Sequence, residues 1–252
     1  MPVRPKSNVT GGVRKKLIAA ARRLSKDVDA LSFADPVSHV YNPLDYAWKS
    51  HQAYLSKIND QGVRIVLLGM NPGPWGMAQT GVPFGEIAAA RDWMGINEPV
   101  KHPVNEHPKR PIQGFDCPRS EVSGRRLWGL FSERFESADA FFSEHFVVNY
   151  CPLVFMESTA RNRTPDKLPA SEREPLDAAC DRHLKSVLKA VQPEIAIGVG
   201  AYAEKCLQRT IADMPDEIAI ARILHPSPAS PAANKDWAGS ATQQLIDAGV
   251  WN

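Results

Sequence analysis

The chain lacks any apolar run close to the roughly 18 residues that a membrane span needs. It opens on a polar stretch, MPVRPKSNVTGG, without the apolar centre of a signal peptide. Its four cysteines, at 117, 151, 180 and 206, are widely spaced, and no CxxC pair occurs. That dispersal argues against structural zinc and against an iron–sulfur cluster, and buried free thiols in a reducing cytosol are expected. Charge of one sign is also scarce, with 30 Lys and Arg against 28 Asp and Glu and a net charge of +2. So slight an excess does not single out a nucleic-acid partner, although a local basic face is compatible with it. No internal repeat occurs. What is present is 252 residues with 43% hydrophobic content. That is enough core for one domain over 1–252, with a loose tail expected over about 1–10.

The most unusual stretch is RIVLLGMNPGPWGMAQTGVPFG, Arg64 to Gly85. Ile65 to Leu68 is a short apolar run bounded by turn formers, which predicts a buried strand of a parallel sheet. From Gly69 to Gly85 there follow five glycines and three prolines. Glycine lets backbone approach a ligand and proline stiffens the loop. A loop of about sixteen residues is also long beside the two to six usual after such a strand. A helical pattern, Glu86 to Trp93, comes next. Strand, stiff loop and helix together form the usual wall of a ligand crevice in α/β proteins.

Elsewhere the chain alternates. Val13 to Leu31 has helical spacing, with Arg14, Lys15, Lys16, Arg22 and Arg23 read as a solvated face. Residues 36–48 carry turn signals and aromatics that suit a cover over a sheet edge. A second helix is expected over about 44–58. Residues 97–118 hold five prolines and little periodicity. Their His102, His107, Lys109 and Arg110 fit either a phosphate contact or a plain surface loop. Ser123 and Ser137 are candidate helix caps, and Ser171 with Glu174 has the form of a capping box. Further strands are predicted at 146–148, 194–199 and 217–224. Long helices are expected from Ser171 and over 201–212. The last helix, 234–249, should turn Trp237, Ala241, Leu245 and Ile246 inward. Strands alternating with helices predict βαβ units and hence a largely parallel sheet in one three-layer domain.

Asn71, Asn149 and His225 each fall at or just past the C-terminal end of a different predicted strand. In a parallel sheet those ends face one way, so the three can share a pocket. No paired carboxylates suggest sugar acid/base chemistry, and no Ser or Cys sits in a nucleophile elbow. GMNPGPWG is neither GxGxxG nor GxxxxGK[ST], which leaves nucleotide-phosphate binding weakly supported. An Asn amide offers one acceptor and two donors, which suits the edge of an amide-like ring such as uracil. An Asn also holds a water without deprotonating it, so the electrophile must already be cationic, as a ribose oxocarbenium ion is. A His donating to the leaving ring would stabilise its developing negative charge. Phe84 is placed to stack on a flat base. These parts suit cleavage of an N-glycosidic bond with departure of a pyrimidine anion.

Four segments carry a resemblance: GMNPGPWGMAQTGVPFGE at 69–86, SEVSGRRLWG at 120–129, NYCPL at 149–153 and HPSPASPAANKDW at 225–237. Together they resemble the single-strand-selective monofunctional uracil-DNA glycosylases, a branch of the uracil-DNA glycosylase superfamily. The resemblance implies an α/β/α fold with four parallel strands. It further implies removal of uracil and oxidised uracils such as 5-hydroxymethyluracil from single- and double-stranded DNA, without metal or other cofactor. By motif position, Asn71 would hold the hydrolytic water and His225 would stabilise the uracil anion. Asn149 would read the base edge and Phe84 would stack on it, with Met70 and the Gly73 backbone bordering the ring. A base inside a duplex must be flipped out to be reached. Pro226, Ser227 and Pro228 would pinch phosphates while Ala229 and Ser230 continue the wedge. Lys235 fits a DNA contact and a solvated side chain equally. No lysine nucleophile is implied, so strand cleavage is not expected.

Two positions depart from the pattern. Trp75 stands where the family often has Phe, and a change of packing alone is expected. Ala229 stands where an Arg is common, which should weaken the grip on opened duplex. The partner implied is DNA, with no membrane, and the protein is expected to be a monomer in a bacterial cytoplasm. Two other readings compete. A non-catalytic base sensor is disfavoured by the presence of both Asn71 and His225. An enzyme on free nucleosides is disfavoured by the wedge-like loop at 226–235.

Overall fold

The computed structural model describes residues 12–215 and 217–252, and the tail expected over 1–10 lies outside the described residues. In chain order the elements are α1 (Val13–Asp29), β1 (His39–Tyr41), α2 (Pro43–Tyr46), α3 (Trp48–Leu55), β2 (Ile65–Gly69) and α4 (Met77–Thr80). After them come α5 (Val122–Arg134), α6 (Ala138–Glu144), β3 (His145–Asn149), β4 (Val154–Met156) and β5 (Asn162–Arg163). The chain closes with α7 (Ala170–Val191), β6 (Ile195–Val199), α8 (Ala201–Ile211), β7 (Ala219–Ile223) and α9 (Pro231–Asp247).

The main sheet has the order β3-β2-β6-β7, and every neighbouring pair is parallel. All four strands lie where the apolar runs predict them. Each residue of β2 and β3 is buried, as expected of strands covered on both faces. β7, at the edge opposite β3, is partly exposed. The helices α1, α7 and α8 pack together, as do α5 and α9, in the manner of a three-layer α/β/α domain. From β2 the chain moves to one side to form β3, then crosses back to β6 on the other side. The crevice beyond the β2 and β6 ends is therefore a topological switch point, where such sheets bind ligands.

A second, antiparallel sheet, β1-β4-β5, is unexpected from the sequence. Its strands have only two or three residues each, too few for a period-2 pattern to register. It holds a separate core of Tyr41, Tyr46, Ala47, Ala78, Ile112, Val154 and Met156. The phenol of Tyr41 donates to Arg110 O (2.9 Å) and accepts from His107 N (2.6 Å). This small sheet thereby anchors the proline-rich excursion at 97–118.

Several local expectations need correction. The helix expected over 44–58 breaks at Ala47 into α2 and α3, and the buried Asn42 side chain caps α2 by accepting from Leu44 N. The pattern at 86–93 winds as a π turn over Ala89–Trp93. Ser137 caps α6, as expected. Ser123, however, is buried inside α5 and caps nothing. Ser171 and Glu174 lie exposed within α7, whose start is set earlier by Pro169. α9 begins at Pro231 under a cap by Ser230, and Ile246 is exposed rather than inward.

Gly198 of β6 is the closest seam between the sheet and α8: a Cβ there would collide with the Glu204 backbone. Gly198→Ala should destabilise the chain by about 1–3 kcal/mol through overpacking, measured as a fall of several degrees in Tm. An unchanged Tm would contradict this packing.

Candidate active site

The loop after β2 is stiffened by its own contacts as well as by its prolines. A single helical turn, α4, sits in its middle and ends on Gly81 in the left-handed region, at φ 71°. Gln79 on that turn is fully buried. Its amide donates to Pro74 O (3.2 Å) and Pro111 O (3.0 Å) and accepts from Gln113 N (2.8 Å). Gln79 therefore ties the Asn71–Gly76 segment to the 97–118 excursion. The ring of His51 is buried, bonds to Gly81 O at 2.8 Å, and is held down to a pKa of about 4 by desolvation.

Phe84 takes a positive φ of 52°. An L-residue there is strained by roughly 1–2 kcal/mol. Three contacts hold it. Trp128 Nε1 donates to Pro83 O (3.2 Å), Gly85 N donates to Val82 O (2.8 Å), and α5 presses Gly124 against the Phe84 carbonyl. Any Cβ on Gly124 would collide with that carbonyl. Gly124 thereby gives α5 access to the strained residue.

Asn149 ends β3 directly opposite Gly69 at the end of β2. A Cβ on Gly69 would collide with both Asn149 Oδ1 and the Phe84 ring, so the missing side chain is what lets the two converge. Asn149 Nδ2 donates to Met77 Sδ at 3.3 Å. Its Oδ1 is buried and has no hydrogen-bond partner among the described residues. An orphaned acceptor of this kind costs about 1–3 kcal/mol, a deficit that a ligand N–H relieves.

His225 lies two residues past β7, with its ring centroid 6.2 Å from that of Phe84. Ser227 N donates to His225 Nδ1 at 3.1 Å. Nδ1 is thus an acceptor, so the ring proton is assigned to Nε2. Burial lowers the His225 pKa, which favours this neutral form. Gly200, at φ 92°, leaves room for the ring: a Cβ there would approach His225 Cβ to 3.0 Å.

Asn71 is partly exposed. Its Nδ2 donates to Leu153 O (3.1 Å) and Pro72 O (3.3 Å). Oδ1 is left as a free acceptor among the described residues. Met70 O accepts from Cys151 N (2.9 Å), which locks the first loop residue to the chain just after Asn149. Gly73 borders the carboxyl of Glu121, whose Oε1 a Cβ would approach to 2.8 Å. Phe84, Asn149 and His225 form one cluster through Gly69 and the Phe84 ring, and Asn71 reaches it along the 149–153 segment.

The 226–230 loop is braced from α5. Arg126 donates to Pro226 O (3.1 Å) and to Asn234 Oδ1 (2.9 Å), and Asn234 Nδ2 donates to Pro228 O (2.8 Å). Ser227 Oγ accepts from Ala229 N (3.1 Å), and Ser230 Oγ caps α9. Pro228, Ala229 and Lys235 are exposed. Neither Arg126 nor Gln79 stands out in the sequence, because each acts through loop carbonyls that no local pattern encodes.

Glu121 is a further group without a sequence signal. Its carboxyl fills the notch left by Gly73 and Gly76, and Oε2 is buried without a hydrogen-bond partner among the described residues. Burial, and secondarily the Glu86 carboxylate, push its pKa from 4.5 up to about 7. Between those values the folded chain holds a proton that the unfolded chain has lost. Stability therefore falls as pH rises through that window, by roughly 3 kcal/mol in all. Glu121→Gln should remove this dependence and raise Tm above that of the unsubstituted protein at pH 8. Parallel Tm-against-pH curves for the two proteins would contradict the assignment.

The family model of the Uracil DNA glycosylase superfamily matches residues 55–246. A protein from Bos taurus named single-strand selective monofunctional uracil DNA glycosylase is 42% identical over 246 residues, covering 98% of this chain and 89% of its own. The Mus musculus protein of the same name is 44% identical over 228 residues, covering 90% of this chain and 82% of its own. The Rattus norvegicus protein is 45% identical over the same length and shares. Among solved structures, Pedobacter heparinus SMUG2 superposes with a TM-score of 0.64 at 19% identity and covers 95% of both chains, a likeness of fold. With its four parallel strands and the motifs at their ends, this chain belongs to the single-strand-selective monofunctional branch of the uracil-DNA glycosylase superfamily.

Proposed function

We propose that this chain is a monofunctional DNA glycosylase. It hydrolyses the N-glycosidic bond of uracil, and of oxidised uracils such as 5-hydroxymethyluracil, in single- and double-stranded DNA, initiating base excision repair. The observation that carries this reading is the pair of polar groups placed beside the Phe84 ring. Asn149 Oδ1 is a buried acceptor without a donor, and His225 Nε2–H is a donor held in one tautomer by Ser227 N. Uracil supplies the complement, an N–H flanked by two carbonyl oxygens. Phe84, beside both groups, supplies a flat stacking surface.

In this mechanism the C1′–N1 bond breaks first, and the electron pair leaves on the base. His225 Nε2–H donates to the base carbonyl that gains the charge. A neutral imidazole suffices, since it stabilises an anion without having to give up its proton. The sugar is left as an oxocarbenium ion. Asn71 Oδ1 accepts a hydrogen bond from the attacking water, because both Nδ2 bonds hold the amide in that orientation. An amide is too weakly basic to take the proton, and none need leave until the new C1′–O bond has formed. The proton then passes to solvent. The products are the free base and an abasic strand, and no amine nucleophile takes part. All of these groups come from one chain, which supports action as a monomer.

The 226–230 loop is suited to enter the gap left by an extruded nucleotide. Its Ala229 is short and uncharged, consistent with a weaker hold on opened duplex than an Arg at that position would give.

Labelled single-stranded and duplex oligonucleotides carrying one uracil, incubated in EDTA and then in hot alkali, test the reading. Alkali-dependent cleavage is expected, falling by about 10²–10³ in kcat in Asn71→Ala and in His225→Ala. Uncleaved strands, or cleavage that needs no alkali, would contradict it.

A further inference from the structure

Two guanidiniums converge on one indole beside the candidate site. Arg110 Cζ lies 4.8 Å and Arg119 Cζ 4.9 Å from the centre of the Trp75 ring. Trp75 is on the loop that carries Asn71, four residues further along. The two charges are thus no more than about 10 Å apart. Neither has a counter-charge. Nine ion pairs occur among the described residues, and neither Arg110 nor Arg119 enters one. Arg110 Nε is buried without a hydrogen-bond partner, and among the described residues its side chain makes one hydrogen bond, a long one from Nη1 to Lys109 O at 3.5 Å. Arg119 is exposed, and among the described residues its guanidinium makes no hydrogen bond or ion pair beside the contact with the Trp75 ring.

The placement is rigid. Gln79 bonds both Pro74 O, next to Trp75, and Pro111 O, next to Arg110. Arg119 precedes Glu121 by two residues, and the Glu121 carboxyl abuts Gly73 and Gly76 on either side of Trp75. Two arginines from a distant excursion are thereby held to the loop that carries the candidate water-holding Asn71. Like charges collected without an ion-pair partner, next to a site for a polyanion, are the electrostatic signature of a phosphate contact. Guanidinium also stacks on an aromatic face while its N–H groups stay free to bind phosphate.

We propose that Arg110 and Arg119, seated over Trp75, form a second phosphate subsite for the DNA strand. It is separate from the 226–230 loop and holds the nucleotides on one side of the extruded base. This rests on the glycosylase reading for its ligand. It also gives Trp75 a part beyond the change of packing expected from the sequence, as the platform that orients both guanidiniums.

The test compares the unsubstituted protein with Arg110→Gln, Arg119→Gln and the double variant. The control is Arg182→Gln, whose arginine pairs with Asp27 away from this loop. Substrates are single-stranded oligonucleotides with the uracil central, or extended only 5′ or only 3′. Each glutamine variant should raise KM roughly tenfold with kcat unchanged, and flatten the dependence of log kcat/KM on log salt by about 0.7. The double variant should lose about 1.4. The loss should appear with the central uracil and with one of the two extended substrates only. Equal salt slopes in the unsubstituted and double-variant proteins would overturn the subsite while leaving the glycosylase reading intact. Fluorescence anisotropy with a labelled, uracil-free oligothymidylate separates the two claims. If no uracil is released but oligothymidylate binding weakens in the double variant relative to Arg182→Gln, the subsite stands and the glycosylase reading fails. If binding is unchanged, the subsite fails. A fall in Tm of the glutamine variants is answered by Arg110→Lys with Arg119→Lys, which should restore most of the salt slope; no restoration would overturn the charge-based account.

Discussion

The site depends on the close approach at Gly69. There the parallel ladder of β2 and β3 ends, and Asn149 faces a residue without a side chain. Into that gap come the Asn149 amide and the Phe84 ring. A methyl group at Gly69 would separate the group suited to read a base edge from the ring suited to stack on it. The approach also requires Phe84 to adopt its left-handed backbone, which Gly124 and Trp128 hold from α5. One sheet register, two glycines and one strained aromatic residue thus form a single constraint. The large core supports its cost.

Burial then sets the charge states. His225 is driven toward neutrality, and its Nδ1 is occupied by Ser227 N, so Nε2–H is the donor the site offers. Glu121 is driven the other way, toward its protonated form near neutral pH. Both shifts arise chiefly from desolvation, and both keep net charge out of the space beneath the loop. In such a dry setting a neutral donor acts strongly on a charge that appears only as the bond breaks. The unpaired positive charge of Arg110 and Arg119 lies over Trp75 instead.

Much of the frame was legible because buried parallel strands write themselves as short apolar runs, and all four appear in place. Asn71, Asn149 and His225 were legible for a related reason: polar residues at the ends of such runs collect at one edge of the sheet. The small sheet was not legible, since β5 has two residues and β1 and β4 have three. The cap positions at Ser123 and Ser171 misled because helix starts were set by tertiary contact and by Pro169 instead of by side-chain caps. Gln79, Arg126 and Glu121 left no trace. Gln79 and Arg126 bond loop carbonyls and Glu121 fills a notch between glycines, and such partnerships follow from the fold alone.

The site works as described only if His225 is neutral, protonated at Nε2, before any substrate arrives. The direct measurement is the ¹⁵N NMR spectrum of the histidine-labelled protein across pH 5–8, with the His225 signals assigned by comparison with His225→Gln. One neutral tautomer is expected at pH 7, with Nδ1 unprotonated and Nε2 bearing the proton, persisting below the pH at which an exposed histidine titrates. An imidazolium at pH 7, or a proton on Nδ1, would contradict it.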